Sequence, residues 1–370
     1  MDYHKSPFIV IWELTRACAL RCLHCRAEAQ YFRHPDELTT EEGFALIDQI
    51  AEMEGAMLVF TGGDPLMRPD LFDFIEYAVK KGIRVSMTPS ATPKVTRKAM
   101  ERAKAAGLSR WAFSLDGPNE TIHDYFRGVK GSYNRTIKYI HYLHELELPV
   151  QINTVVSRFN VDVLEEMAER VQELKAVLWS VFFLIPTGRA TNLEPISPED
   201  HEKVLLWLSE LKDHVPFDIK TTEAPFYRRV LLQKGEEVFQ RTKPGRDDAR
   251  PFMDGIGRAP FAVNDGKGFV FISHLGDVYP SGFLPIKCGN VRETPLLSIY
   301  QNHKVFRELR NPDLLKGKCG QCEFRHICGG SRSRAYAVTG DYLASDPYCI
   351  YQPKKTNVSV KSGSSLMNEN

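Results

Sequence analysis

The sequence predicts a mixed α/β fold in which a parallel sheet is followed by a smaller C-terminal unit. Six strand–helix alternations fit within residues 1–190, and strict alternation of this kind requires helical crossovers between parallel strands. The alternation stops after Gly188, and a hairpin pattern and a group of cysteines appear much later in the chain. This pattern is compatible with an open sheet or with a barrel.

Each predicted strand is a short apolar run, which is typical of strands buried in a parallel sheet. These runs are residues 8–12, 57–60, 84–87, 111–115, 150–156 and 179–185. The first helix is expected after a capping box that begins at Thr39, because Glu42 stands three residues further on. Further helices are expected where apolar residues recur at helical spacing, in residues 70–81, 96–106, 133–146 and 163–174.

The rest of the chain divides into three parts. Ser197 and Pro198 predict the start of a helix, and residues 234–265 are rich in charge, Gly and Pro, which is typical of a linker or of a flap over a substrate. Residues 269–272 and 277–279 flank Leu275-Gly276 and predict a hairpin. We expect a barrel-like domain at 1–190, a helical segment and linker at 191–265, a cysteine-rich domain at 266–353 and a disordered tail at 354–370.

The composition excludes several classes of function. The 370 residues carry 48 Lys+Arg against 47 Asp+Glu, so we expect no nucleic-acid partner. No apolar run is long enough to span a bilayer and no signal peptide is recognisable, so we expect a cytoplasmic protein without a membrane partner. Disulfides are rare in that compartment, and the eight cysteines are therefore expected to be ligands, catalysts or core thiols.

Three of these cysteines, Cys18, Cys22 and Cys25, lie in one short loop directly after the first predicted strand. Thiolates suit zinc or iron–sulfur clusters, but structural zinc normally takes four protein ligands in two separated pairs. Three thiols in one loop favour a cubane cluster with one iron left open. A zinc loop or three unrelated core thiols remain alternatives for this motif taken alone.

Two further motifs also follow predicted strands directly. They are Gly62-Gly63-Asp64-Pro65 after the second strand and Ser114-Leu115-Asp116-Gly117 at the end of the fourth. Ligands of parallel α/β folds bind at the carboxyl ends of the strands, so both motifs should open onto the same face as the cysteine loop. Adjacent glycines allow the backbone to approach a ligand closely.

The cysteine spacing together with the Gly-Gly-Asp motif resembles the radical S-adenosylmethionine (SAM) superfamily. The resemblance implies a partial barrel of six βα units and a [4Fe–4S] cluster whose open iron binds SAM. An electron from the cluster would cleave SAM to a 5′-deoxyadenosyl radical, which abstracts hydrogen from a substrate. An external donor of the flavodoxin or ferredoxin type would supply that electron.

The resemblance also implies the residues that contact SAM. Gly62, Gly63 and Asp64 match the motif that grips the amino group, although Asp64 replaces the usual Glu and has a shorter reach. His24 stands where the family usually has an aromatic residue near adenine. Ser114 and Arg127 resemble SAM-binding residues of peptide-modifying members, and a guanidinium suits the SAM carboxylate because it can pair bidentately.

A second set of cysteines, Cys319, Cys322, Cys328 and Cys349, provides ligands for one cluster or one zinc ion. The segment resembles the SPASM extension of radical SAM enzymes or its shortened twitch version. Ser281 and Arg332 stand where full SPASM domains have cysteines, which implies one auxiliary [4Fe–4S] cluster. Cys288 is left over, as a core thiol, a substrate-facing donor and weak catalytic candidate, or an unusual ligand.

Two classes of substrate fit the resemblance. The preferred expectation is maturation of a peptide or a peptide-derived cofactor. The alternative is a tetrapyrrole, because the run from Cys328 to Tyr336 resembles radical SAM enzymes of haem biosynthesis. Arg332 and Arg334 could grip side-chain carboxylates, or they could equally be surface arginines or neighbours of the cluster. The lack of a leader-binding domain before Phe8 weakens the peptide expectation. A non-catalytic electron-transfer or zinc protein is a third hypothesis, but it would not require the glycine-rich motifs.

Overall fold

One ten-stranded sheet organises the part of the chain that the computed structural model describes, residues 2–235 and 263–354. Its order is β10-β9-β8-β1-β2-β3-β4-β5-β6-β7, and the pairings among the eight strands from β8 to β7 are parallel. The strands are β1 (Ile9–Glu13), β2 (Met57–Thr61), β3 (Arg84–Met87), β4 (Arg110–Ser114), β5 (Val150–Val156), β6 (Leu178–Phe183), β7 (Asp218–Thr222), β8 (Phe269–Ile272), β9 (Asp277–Tyr279) and β10 (Gly289–Asn290).

Helices connect the parallel strands and cover the C-terminal part. The helices are α1 (Thr40–Ala51), α2 (Leu71–Lys80), α3 (Arg97–Ala105), α4 (Glu120–Arg127), α5 (Ser132–Glu145), α6 (Leu164–Glu173), α7 (Pro198–Leu211), α8 (Phe226–Gln233), α9 (Leu296–Asn302), α10 (Lys304–Leu309), α11 (Gly317–Gln321) and α12 (Arg332–Thr339). None of these helices is both long and apolar enough to cross a membrane.

The predicted parallel α/β architecture is confirmed, and local capping signals are seen as expected. Thr39 accepts a hydrogen bond from the Glu42 backbone N–H, and the Glu42 carboxylate accepts one from the Thr39 N–H, so the predicted capping box opens α1. Ser197 caps α7 by accepting a hydrogen bond from the Asp200 backbone N–H at 3.0 Å, with Pro198 in the first turn. The β8–β9 hairpin turns at Gly276, whose φ of 83° is unfavourable for any other residue type.

The structure differs from the predicted pattern at both sides of the sheet. β7 lies in the segment 191–265, where no strand was predicted, and it pairs with β6 at one edge. At the other side β8, from the cysteine-rich segment, pairs in parallel with β1 and extends the same sheet. The division into domains stays a prediction. Most of the predicted linker at 234–265 and almost all of the tail at 354–370 lie outside the described residues.

Large aromatic side chains form the core between the first strands and their helices. Trp12 of β1 lies 5.7 Å from Phe60 of β2 and 5.2 Å from Phe74 of α2, measured between ring centroids. All three are fully buried. A Cβ on Gly43 of α1 would lie 2.4 Å from Phe74, so glycine is required for this helix to pack closely. This packing fixes the ends of β1 and β2, where the predicted SAM motifs begin.

Candidate active site

The three cysteines of the first loop lie together beside the end of β1. Cys18 and Cys22 are buried against Leu20, and Cys25 packs on the same group. Backbone N–H groups donate hydrogen bonds of 3.4 Å to the sulfurs of Cys18 and Cys25. Burial raises the pKa of Cys18 to about 11, so a metal would be needed to keep this thiol deprotonated at neutral pH. These three soft donors fit a cubane cluster that keeps one iron open.

The two glycines of the second motif pack on the cysteine loop itself. A Cβ on Gly62 would lie 2.5 Å from the Thr15 carbonyl oxygen, and one on Gly63 would lie 2.6 Å from that of Ala17. The backbone N–H of Gly63 donates to the Thr15 carbonyl at 2.7 Å. Close approach of backbone is therefore required here between the Gly-Gly-Asp loop and the cysteine loop. The predicted approach of these glycines to SAM stays a prediction.

Asp64 is fully buried, and both of its carboxylate oxygens have partners within the protein. Oδ1 accepts from the Leu66 backbone N–H at 3.1 Å, and Oδ2 accepts from the Thr92 hydroxyl at 2.8 Å. Burial raises the pKa of Asp64 to about 6. The carboxylate thus anchors the loop after β3 to the Gly-Gly-Asp loop. Its predicted contact with the SAM amino group stays a prediction.

Ser90 connects this loop with the cysteine loop and was not identified from the sequence. Its hydroxyl donates to the Gly63 carbonyl at 3.1 Å and lies 3.5 Å from the Cys18 sulfur. The only sequence signal was that residues 88–92 follow the third strand, at the same edge as the other motifs. Ser90 therefore helps to hold the Cys18 sulfur in place.

Arg127, at the end of α4, points its charge at the cysteine loop. Its Nη1 lies 3.7 Å from the Cys22 sulfur, and its Nη2 forms a close ion pair with the buried carboxylate of Asp116. Burial alone would lower the pKa of Arg127, but the negative charges of Asp116 and Cys22 outweigh burial and raise it. Arg127 therefore stays charged and can balance negative charge on a cluster.

His24 lies immediately before Cys25 and stacks on Phe126, with ring centroids 4.2 Å apart and planes 11° apart. Burial lowers the pKa of His24 well below its usual value, and the positive charges of Arg127 and Arg189 lower it further, so the ring is neutral. Its Nδ1 is buried without a partner among the described residues.

Ser114, the last residue of β4, pairs in register with Asn153 at the same edge of the sheet.

Glu13, which sequence patterns left outside the first strand, is the fully buried last residue of β1. It accepts hydrogen bonds from Arg26 at 2.7 Å and from His274 Nδ1 at 2.9 Å. Burial alone would raise the pKa of Glu13, but these partners outweigh it and lower the pKa to about 2. Since Arg26 follows the last loop cysteine and His274 follows β8, the ionised Glu13 joins the cysteine loop to the C-terminal segment.

The four C-terminal cysteines line one cavity with about 370 Å³ of empty space, part of which opens to solvent. Burial raises the pKa of Cys328 to about 12. In the described part of the chain, no group of His, Cys, Asp or Glu converges closely enough to bind a single metal ion. Four thiols around a cavity fit a cluster better than one zinc ion. The lining is completed by Arg229, Lys318, Phe324, Arg325, Gly329, Gly330, Tyr351 and Pro353.

Arg332 and Arg334 are fully buried, and each guanidinium has partners within the protein, so their contact with a substrate stays a prediction. Arg332 donates to the carbonyls of Tyr342 and Ala344 and lies 3.8 Å from the Cys319 sulfur. Arg334 donates to Asp346 and to the Glu223 carbonyl. Their guanidinium groups are therefore engaged in holding the C-terminal fold, and Arg332 neighbours the candidate cluster.

The buried carboxyl groups of Glu223 and Asp265 lie beside Ser281, which stands where full SPASM domains have a cysteine ligand. The Glu223 carboxylate accepts from Ser331 at 2.6 Å and from Ser281 at 3.5 Å, and Asp265 accepts from Ser333 at 2.8 Å. Burial and the neighbouring Asp265 raise the pKa of Glu223 well above its usual value. Ser281 thus belongs to a hydrogen-bonded network instead of a metal site.

Cys288 is buried in the main hydrophobic core, and its thiol lies 3.4 Å from the Ile286 carbonyl as a donor. Burial raises its pKa to about 12, so the thiol is protonated. Among the described residues, its position is that of a core thiol, the first of the three alternatives.

Comparison with known proteins agrees with this arrangement. The family model of the radical SAM superfamily matches residues 12–171, and that of SPASM, an iron–sulfur cluster-binding domain, matches residues 264–323. The AdoMet-dependent heme synthase of Methanosarcina barkeri is 40% identical over 95% of this chain and 98% of its own. The PqqA peptide cyclase of Bradyrhizobium diazoefficiens is 27% identical over 94% and 87%.

A solved structure supports the fold. Streptococcus suis SuiB bound to S-adenosylmethionine superposes with a TM-score of 0.69 at 15% identity, over 94% of this chain and 78% of SuiB. The chain belongs to the radical SAM superfamily, in the group that carries a SPASM domain. It is therefore a SAM-dependent enzyme that uses a [4Fe–4S] cluster, with auxiliary iron–sulfur binding in its C-terminal part, and the predicted family is confirmed.

Proposed function

We propose that this enzyme acts in haem biosynthesis and decarboxylates propionate side chains of an iron porphyrin. The observation that carries the proposal is the 40% identity, over nearly all of both chains, to an AdoMet-dependent heme synthase. A peptide-modifying relative matches a similar span at only 27%. The tetrapyrrole hypothesis is thus better supported than peptide or peptide-derived cofactor maturation, which the sequence analysis preferred.

The predicted ligands keep their roles in this proposal. Cys18, Cys22 and Cys25 would hold the SAM cluster, and Cys319, Cys322, Cys328 and Cys349 would hold one auxiliary [4Fe–4S] cluster. Gly62 and Gly63 bring their loop against the first cysteine loop. His24, Asp64, Ser114 and Arg127 would contact or orient SAM. The barrel positions the substrate carbon near SAM and excludes water.

When the first cluster is reduced, SAM bound there would supply a radical able to remove hydrogen from an unactivated carbon. The suitable hydrogen lies on the propionate carbon next to the macrocycle. Its removal as an atom, loss of carbon dioxide and loss of one electron convert the side chain to a vinyl group. The hydrogen atom is recovered in 5′-deoxyadenosine. A cluster held by Cys319, Cys322, Cys328 and Cys349 would supply an acceptor for the electron.

The cleavage of SAM also needs an electron from outside this chain. We propose an external flavodoxin- or ferredoxin-type protein as the donor and the cytoplasm as the compartment. The neutral His24, whose Nδ1 is buried beside the charged Arg127, supports a SAM site that is closed to bulk water, which protects a radical from side reactions.

The proposal is tested by anaerobic turnover of reconstituted enzyme with SAM, dithionite and an iron porphyrin that bears propionates. We expect carbon dioxide and 5′-deoxyadenosine in equal amounts, because each decarboxylation consumes one radical. Cys22→Ala, which removes one cluster ligand, should abolish both products. No porphyrin binding and no carbon dioxide, with SAM cleavage stimulated instead by a precursor peptide, would contradict the proposal and support peptide maturation.

A further inference from the structure

Four polar atoms around the first cysteine loop are buried and have no hydrogen-bond partner within residues 2–235 and 263–354. They are His24 Nδ1, Arg127 Nε, and both Nε and Nη2 of Arg189. Buried polar groups are nearly always paired, so a group of unpaired ones indicates a missing partner. His24 and Arg127 already have predicted contacts with SAM. Arg189 was not singled out by any motif.

The backbone of Arg189 is fixed against the loop that would hold the cluster. Its N–H donates to the Cys25 carbonyl at 3.1 Å, in a 3₁₀ turn that follows β6. The preceding Gly188 has a φ of 56°, and a Cβ there would lie 2.6 Å from the same carbonyl oxygen. This packing holds the Arg189 backbone in one position, beside Cys25 and after the carboxyl end of β6. The Arg189 side chain therefore begins from that position.

The two unpaired atoms of Arg189 form the side of the guanidinium that binds a carboxylate with two parallel hydrogen bonds. The same chain uses this side elsewhere. Arg68 donates from Nε and Nη2 to the two oxygens of Asp70, at 2.8 and 2.6 Å. Arg292 binds Glu42 in the same way, at 2.6 and 2.8 Å. Among the described residues, no carboxylate occupies this side of Arg189.

We propose that Arg189 binds a carboxylate of the ligand held at the first cluster through Nε and Nη2. This inference rests on the proposed function as far as the ligand is an iron porphyrin, whose propionates are such carboxylates. The carboxylate of SAM is the other source of the same chemistry. Lysine at this position would retain the charge but lose the paired geometry.

The test compares ligands that differ only in a carboxylate, by equilibrium binding to anaerobically reconstituted enzyme. One pair is an iron porphyrin with free propionates and its methyl ester, and the other is SAM and decarboxylated SAM. The variants are Arg189→Met and Arg189→Lys. Arg102→Met is the matched control, because Arg102 is an exposed residue of α3 that pairs with Asp73 and lies over the Phe72 ring. Iron content and circular dichroism verify the cluster and the fold.

Arg189→Met should weaken binding of one carboxylate ligand about 30-fold or more, and leave binding of its carboxylate-free analogue unchanged. Loss confined to the porphyrin acid identifies a substrate propionate, whereas loss confined to SAM identifies the SAM carboxylate. Arg189→Lys should recover only part of the affinity, and Arg102→Met should match the wild type. Unchanged affinities, or equal losses for acid and analogue, would overturn the inference.

The two arms keep this inference separate from the proposed function. A wild-type enzyme that does not bind the porphyrin contradicts the proposed function, and the SAM arm still tests Arg189. The role of Arg189 alone is contradicted by another result. In that result the wild-type enzyme binds the porphyrin acid tightly, and the Arg189→Met variant binds both the porphyrin acid and SAM as tightly as the wild type does. If the Met variant loses its fold or its iron, the same comparison in Arg189→Lys decides the question.

Discussion

Arg26 donates a 2.7 Å hydrogen bond to the buried carboxylate of Glu13, and this pair joins the end of β1 to the residue after the last loop cysteine. The Arg26 guanidinium also lies 4.5 Å from the ring of Phe271 in β8. The loop that would hold the SAM cluster is therefore fastened to both the barrel and the C-terminal segment. Its geometry depends on a charge that is almost fully removed from water.

Glu13→Gln should destabilise the protein by about 3 kcal/mol, because it leaves the Arg26 charge in a buried site without its counter-charge. The free energy of unfolding from urea titration of reconstituted protein measures this effect. Glu101→Gln is the control, since Glu101 makes an exposed pair with Arg97 and should cost less than about 1 kcal/mol. Equal, small effects of both substitutions would show that the Glu13 charge does not stabilise the buried Arg26 guanidinium.

Simultaneous replacement of Cys319, Cys322 and Cys328 by Ala should remove about four of about eight irons, since each cubane holds four. The first cluster should remain, because its three cysteines lie in a separate loop. Iron and sulfide analysis of anaerobically purified protein measures this. An iron content near twelve in the wild type, or stoichiometric zinc, would contradict a single auxiliary cluster.

Lys318→Met should lower the reduction potential of the auxiliary cluster. The Lys318 ammonium lines the cysteine cavity and donates to the Cys349 carbonyl, and a nearby positive charge stabilises the more negative reduced state. A redox titration followed by electron paramagnetic resonance measures the potential. Lys304→Met, on the exposed surface of α10, should leave it unchanged. An unchanged or raised potential in Lys318→Met would be evidence against this electrostatic role.

Glu223→Gln should stabilise the protein, and the gain should increase as the pH rises above about 4.5. The folded state keeps Glu223 protonated because its pKa is raised, whereas the unfolded state ionises from about pH 4.5, so the wild type loses stability as the pH rises toward the raised value. Gln resembles the protonated acid and does not ionise. Thermal unfolding at several pH values tests this, and a gain that is independent of pH would refute a buried neutral Glu223.

Local signals predicted much of the fold, and the misses have physical reasons. β5 was predicted with its observed bounds, because Val150–Val156 is apolar throughout much of its length. β7 was missed because Asp218–Thr222 contains one strongly apolar residue, Ile219, and gains its structure from pairing with β6 at the edge of the sheet. Edge strands of this kind depend on partners that sequence patterns do not reveal.

The candidate site was predictable where residue spacing carries the chemistry. The cysteines are predicted to be ligands from their type and spacing, and the structure brings each set together. Sequence could not identify the partners of long charged side chains, because those partners lie far away in the chain. Arg334, for example, was considered both as a substrate residue and as a surface or cluster-neighbour arginine, and its partners Asp346 and the Glu223 carbonyl could not be foreseen. Glu13 was left outside the strand for its charge, which Arg26 balances while His274 forms a hydrogen bond with the same carboxylate.

The central claim, that a radical formed from SAM attacks a porphyrin propionate, is tested most directly with a deuterated substrate. An iron porphyrin with deuterium on the propionate carbon next to the macrocycle is incubated anaerobically with enzyme, SAM and reductant, and the 5′-deoxyadenosine is analysed by mass spectrometry. The account predicts one deuterium in each 5′-deoxyadenosine, with matching release of carbon dioxide. Unlabelled 5′-deoxyadenosine, formed while the porphyrin is recovered unchanged, would contradict it.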